Sequence, residues 1–219
     1  GAQSLRTGES AFSHGLGMAL IASGLQMDVD ARIAALFFSA HAHGEMVAKE
    51  IKEQFGEAVL RLTHGLFRLS ALSPILNKIK ANEDKTAQEA ASKTQGEILR
   101  KMLLAMADDI RVVILRLASR TQTLRFFAAN QKVEEARKIA FAEETHTLYA
   151  PLANRLGVWE LKWEMEDLAF RFMSPDIYRS LAKSLDGKRI EREQFIENAV
   201  LQLKTALFNY GIKNAEVYG

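Results

Sequence analysis

Apolar residues recur every three or four positions through most of this chain, and proline hardly ever interrupts them. That spacing follows the turn of an α-helix rather than the alternation of a half-buried strand. From Phe12 to Leu25 the series is Phe12, Leu16, Met18, Ala19, Ile21, Ala22 and Leu25. Asp28 or Asp30 is placed to cap a second helix that turns Ile33, Leu36 and Phe37 inward. A third stretch runs from Gly44 to Gln54 and stops at Phe55-Gly56. Ala58, Val59, Leu62, Leu66 and Leu69 make a fourth, and Ser73-Pro74 opens something short. With 3 Pro and 13 Gly in 219 residues, long helices are permitted. The expected fold class is all-α.

From Lys80 to Thr94 the chain reads KANEDKTAQEAASKT, with no large apolar side chain to place in a core. It is expected to be a solvated loop or a frayed helix. Helices from Gln95 to Ala107 and from Asp109 to Phe127 follow. A helix from Val133 should end before Pro151, because the residue preceding a proline is pushed out of the helical region. Three more are expected: Val158 to Phe172, then Ser174-Pro175 as cap and first-turn proline leading to Leu185, then Ile190 to Tyr210. Gly211 suits a C-terminal stop, and NAEVYG alternates like the start of a strand.

Composition narrows the partners. Hydrophobic residues make up 48% and charged residues 26%, an ordinary balance for a folded domain. The 29 basic and 27 acidic residues are interspersed and leave a net charge of +2, so no basic field recruits nucleic acid. Apolar runs such as Ile33 to Phe38 and Met102 to Ala107 fall well short of the roughly 20 residues that cross a bilayer. No membrane association is expected, and the cytoplasm is the expected location. The absence of Cys excludes disulfides and thiolate chemistry, so a metal would need His, Asp or Glu.

Several segments together resemble one family. APLANRLGVWELKWEMEDLAFRF (Ala150 to Phe172), with AEVYG at the end, is similar to the segment joining the hydrolase and synthetase halves of long RelA/SpoT proteins. RTGESAFSH (from Arg6), AALFFSAHAHG (from Ala34), FGEAVLRLTHGLFRL (from Phe55) and LRKMLLAMADDIRVVILRLASR (from Leu99) follow in that family's order. The resemblance implies a degenerate HD domain over residues 1–128, a helical connector over 129–211 and the start of a synthetase domain at 212–219.

Active members of that family hydrolyse the 3′-pyrophosphate of the alarmone (p)ppGpp with manganese held by two His and two Asp, beside a Glu-Asp pair that works on the attacking water. A divalent cation wants imidazole or carboxylate ligands and lowers the pKa of its bound water. Mapped onto this chain, the first ligand is kept as His14. The paired His-Asp reads Phe38-Ser39, and the Glu-Asp pair reads Ala42-His43. The motif close to LADRLHNMR is LASRTQTLR, so Ser119 stands for the Asp ligand and Thr123 for a nucleotide-contacting Asn. The resemblance therefore implies a pseudo-hydrolase with no cofactor, regulating in cis a RelA-type GTP pyrophosphokinase whose catalytic residues lie beyond Gly219. A metal-free module that binds a guanine nucleotide is the alternative, and a hydrolase with relocated ligands a weaker one.

Plainer readings stand beside these. His41 and His43 lie two apart and so point to different helix faces, unlike a four-apart ligand pair. His64 and His146 read as ordinary helix histidines, and Asp108-Asp109 as a helix cap. Trp159 and Trp163 share a face that either packs within the connector or docks the synthetase domain. Arg6, Arg120 and Arg125 are candidate phosphate contacts, provided they converge on the old pocket.

Overall fold

The computed structural model describes residues 4–38, 45–80 and 109–209. Among these every regular element is helical, and the one extended feature is an isolated antiparallel bridge between Ser4 and Ser10. The fold is all-α. The expected loop from Lys80 to Thr94, beyond Lys80 itself, the helix from Gln95 to Ala107 and the stop at Gly211 lie outside the described residues.

Helix α1 spans Ala11–Gly24, capped by Ser10, and ends where Gln26 takes a left-handed φ of 55°. Met27 N–H donates to Ala22 O and Gln26 N–H to Ser23 O, which closes the last turn. Helix α2, Val29–Leu36, starts at Asp28, whose side chain accepts from Ala31 N at 2.8 Å. Its inward face differs from the expectation. Ala31, Ala34 and Ala35 are buried, whereas Leu36 is 45% exposed and Ile33 and Phe37 are half-buried. The cause is close packing on α1: a Cβ on Gly15 would lie 2.9 Å from Leu36 O, so small residues set the contact. Phe12 and Leu16 likewise face outward, while Met18, Ile21 and Ala22 fill the core.

Helix α3, Glu45–Lys80, bends at Gly56, whose φ of 89° and ψ of 173° suit glycine, at the break expected after Phe55. It then continues through Pro74 instead of restarting there. A proline removes one rung of the ladder and need not end a helix held on both sides. Helix α4, Ile110–Ala129, begins at the Asp109 cap and is the central strut, touching α1, α2 and α3. Val112, Val113, Leu115, Leu117, Leu124 and Phe127 bury on more than one of its faces.

The segment after Val133 also departs from expectation. Helix α5, Glu135–Glu144, passes into a wider π-turn at Thr145–Tyr149 and on into α6, Ala150–Arg155, so Pro151 sits in a first turn instead of beyond an end. Ala150 N–H reaches back to Thr145 O, and the widened turn makes room for the proline ring. Gly157, at φ 72°, turns the chain into α7, Trp159–Met173, which buries Leu161, Met165, Ala169 and Phe172. Helix α7 packs on both α4 and α5, and the first compact unit runs to residue 173. Residues 174–219 form the second unit, in which α8 runs unbroken over Pro175–Asn209 where two helices were expected.

No helix among the described residues is long and apolar enough to cross a membrane.

Candidate functional site

The N-terminal turn and two helices meet at His14. Leu5 N–H donates to Glu9 O at 2.7 Å and Gly8 N–H to Leu5 O at 2.9 Å, a tight turn that Gly8 permits with φ 88°. This delivers the Glu9 carboxylate against the start of α1. Glu9 Oε2 lies 2.7 Å from His14 Nδ1, and Glu9 Oε1 accepts from Gln122 Nε2 at 2.7 Å. On the other side of the ring, His14 Nε2 lies 2.9 Å from Ser119 Oγ. Glu9, His14 and Ser119 are 3%, 1% and 3% exposed, so the chain of hydrogen bonds is sealed from water. Both ring nitrogens are thus partnered, Nδ1 by a carboxylate oxygen and Nε2 by a hydroxyl that can donate or accept.

The surroundings hold this network in place. Phe38 packs its ring 4.9 Å from the imidazole at 44°. Thr123, buried on the next turn of α4, returns its hydroxyl to Ser119 O at 3.1 Å. Gly17 clears the path for Gln122: a Cβ there would sit 2.2 Å from Gln122 Oε1. Of the residues expected at the old hydrolase site, His14, Phe38, Ser119 and Thr123 thus come together. Ser39, Ala42 and His43, with His41, lie outside the described residues.

The Glu9–His14 pair is the arrangement by which a carboxylate orients a metal-binding imidazole from behind. What meets Nε2 is a serine hydroxyl, and a phenyl ring packs against the imidazole. Among the described residues no three His, Asp or Glu side chains are grouped to hold a cation. The donors that the described residues place here, one imidazole and a neutral hydroxyl, do not fit manganese, which favours charged oxygen and imidazole ligands.

The arginines do not converge here. Arg120 is buried in the opposite direction, where its guanidinium pairs with Glu144 at 2.8 Å and donates to Thr145 Oγ1 and Phe141 O. It lies 3.5 Å from the Phe141 ring centroid and 4.4 Å from that of Tyr149. Burial pushes its pKa below the ordinary value, with Tyr149 and Glu144 acting against that. Arg125 forks onto both Glu164 oxygens, at 2.5 and 2.8 Å, and ties α4 to α7. Arg6 is exposed, and its carbonyl accepts from Arg137.

The remaining candidates are placed as follows. Asp109 caps α4 through Arg111 N at 2.9 Å and holds the Arg111 guanidinium, which also bridges to Asp28. His64 and His146 lie at helix surfaces. Trp159 and Trp163 are 51% and 64% exposed, so connector packing falls to Leu161, Met165, Ala169 and Phe172 instead. Both tryptophans occupy the outward face of α7.

Glu9 and Gln122 are the members of the site that sequence reasoning passed over. The signals were present: Glu9 closes the RTGE turn just before the Ser10 cap, and Gln122 lies three residues from Ser119 on the same face of α4.

Comparison with known proteins agrees with this architecture. The family described as HD domain matches residues 2–159. The chain is 40% identical over 206 residues to a GTP pyrophosphokinase of Escherichia coli K12, covering 94% of this chain and 26% of that protein. A GTP pyrophosphokinase of Photobacterium angustum is 40% identical over 195 residues, 89% of this chain and 25% of its own length. A guanosine-3′,5′-bis(diphosphate) 3′-pyrophosphohydrolase of Haemophilus influenzae is 36% identical over 213 residues, 97% of this chain and 29% of its length. The chain thus spans about a quarter of each relative. It belongs to the HD domain family and is homologous over 94% of its length to the RelA/SpoT GTP pyrophosphokinases.

Proposed function

We propose that this chain is a non-hydrolysing HD domain that regulates, in cis, a cytoplasmic (p)ppGpp synthetase of the GTP pyrophosphokinase type. The observation that carries the reading is the 2.9 Å contact between His14 Nε2 and Ser119 Oγ. It sets a neutral hydroxyl against the imidazole nitrogen at the position where the family resemblance places an Asp ligand. Hydrolysis of a pyrophosphate ester by metal-activated water has no support from such a donor set. The rival nucleotide-binding reading loses two of its cationic contacts, because Arg120 and Arg125 are engaged with Glu144 and Glu164.

Two measurements on the natural full-length protein test this. Incubated with ppGpp and manganese, it should release no pyrophosphate, and its synthetase activity should change when residues 1–150 are removed. Chelator-sensitive release of pyrophosphate would restore the hydrolase reading. Unchanged synthesis after truncation would remove the regulatory one, and saturable guanine-nucleotide binding to the first compact unit would favour the rival.

A further inference from the structure

A second concave surface lies away from His14. A cavity of about 390 Å³ is floored by Leu25 and Met27 from the α1–α2 turn, Ile114 from α4 and Val158. Trp159 and Glu160, at the start of α7, form its rim. Both bordering turns are fixed by the same device. Met27 N–H donates to Ala22 O beside left-handed Gln26, and Val158 N–H donates to Ala153 O beside left-handed Gly157. The cleft is therefore preformed, which lowers the ordering cost of filling it.

Its chemistry is uneven in an informative way. The floor is aliphatic, and the Trp159 indole is 51% exposed beside it. Glu160 is exposed and joins no ion pair among the described residues, whereas Glu164 and Glu166 on the same helix are paired with Arg125 and Lys162. Next to Met27, Asp28 shares the Arg111 guanidinium with Asp109 and its carbonyl accepts from Arg32, so that cluster is balanced and Glu160 is the charged group lining the cleft. The lining thus presents one carboxylate, Glu160, and one indole, Trp159, over an apolar base. Phosphate backbones and anionic lipid headgroups are disfavoured by that charge. A cation with an apolar neighbour is favoured, and arginine suits an indole face and a carboxylate together better than lysine does.

We propose that this cleft docks a basic protein segment. One arginine stacks its guanidinium on Trp159 and pairs with Glu160, and an adjacent apolar side chain enters the floor between Met27 and Ile114. The proposal is independent of the regulatory reading, since it uses none of the residues around His14.

The chain carries 2 Trp, both on α7, so indole emission reports this face alone. In Trp163→Phe, Trp159 is the sole reporter. Titration with acetyl-Leu-Arg-Leu-Arg-Leu-amide should shift its emission saturably, the lysine version should bind more weakly, and the glutamate version should give no response. Adding Glu160→Gln, at an exposed position where folding is unaffected, should weaken the arginine peptide by about tenfold. The proposal is overturned by any of three results: no saturable shift, equal response to the glutamate peptide, or affinity unchanged by Glu160→Gln. A saturable shift with phosphatidylserine vesicles or single-stranded RNA in place of the peptide would likewise overturn it.

Discussion

His14 and Trp163 both project from helices of the first compact unit, and the fold treats them in opposite ways. The imidazole is 1% exposed inside a chain of four polar side chains, whereas the indole is 64% exposed on the outer face of α7. The polar residue is inside because Glu9 and Ser119 satisfy both of its nitrogens, and a satisfied polar group can be buried at little net cost. The apolar residue is outside because α7 has apolar side chains around most of its circumference. Leu161, Met165, Ala169 and Phe172 already fill the face that meets α4 and α5. Burial here follows the partners each residue finds, more than its own hydrophobicity.

The arginines give the largest effect with which to sharpen that contrast. Arg120 and Arg125 come from one motif on one helix, but the first pairs at 2% side-chain exposure and the second at 46%. Arg120→Ala leaves Glu144 buried without its cation and removes the guanidinium from between Phe141 and Tyr149. It should cost about 3–5 kcal/mol in urea unfolding. Arg125→Ala breaks a pair open to solvent and should cost under about 1 kcal/mol. Equal losses would mean that burial does not separate the two.

A smaller effect is expected at the polar chain itself. Ser119→Ala strands His14 Nε2 in a site closed to water, and an unsatisfied buried group costs about 1–3 kcal/mol. Ser119→Thr keeps the hydroxyl and should recover part of it. If Ser119→Ala unfolds at the same urea concentration as the parent, the His14–Ser119 contact is incidental, and the argument drawn from it for the loss of metal chemistry weakens with it.

Much of the fold was legible because local signals and tertiary packing agree. Asp28 and Asp109 cap helices where an acid precedes an apolar run, and Gly56 breaks α3 where Phe55-Gly56 interrupts the pattern. The misses share a physical cause, which is that neighbours overrode a local signal. Pro151 reads as a stop, but a π-turn absorbs it, and the segment before it is anchored by Arg120 through Thr145 and Phe141. Ile33 and Leu36 read as core, but the close approach at Gly15 gives that face to alanines. At the site, the motif resemblance located His14 and Ser119. It could not foresee that Glu9 and Gln122 would complete the network, because that depends on the turn at Gly8 and the gap left by Gly17.

The smallest expected effect is at Trp163, and it is the most direct test of the comparison. Truncating a large aromatic is costly when it leaves a cavity, but Trp163 has most of its surface in water and no cavity can form there. Trp163→Ala should therefore shift the unfolding free energy by no more than about 0.5 kcal/mol. Met165, two residues on and 0% exposed, is the internal control, and Met165→Ala should cost about 2–5 kcal/mol. Both variants change the same helix, so differences in helix propensity cannot produce the gap, because alanine is the strongest helix former at either position. A loss at Trp163 approaching that at Met165 would place the indole within the packed core. The outer face of α7 would then be part of the domain's own stability, with no surface left over for a partner.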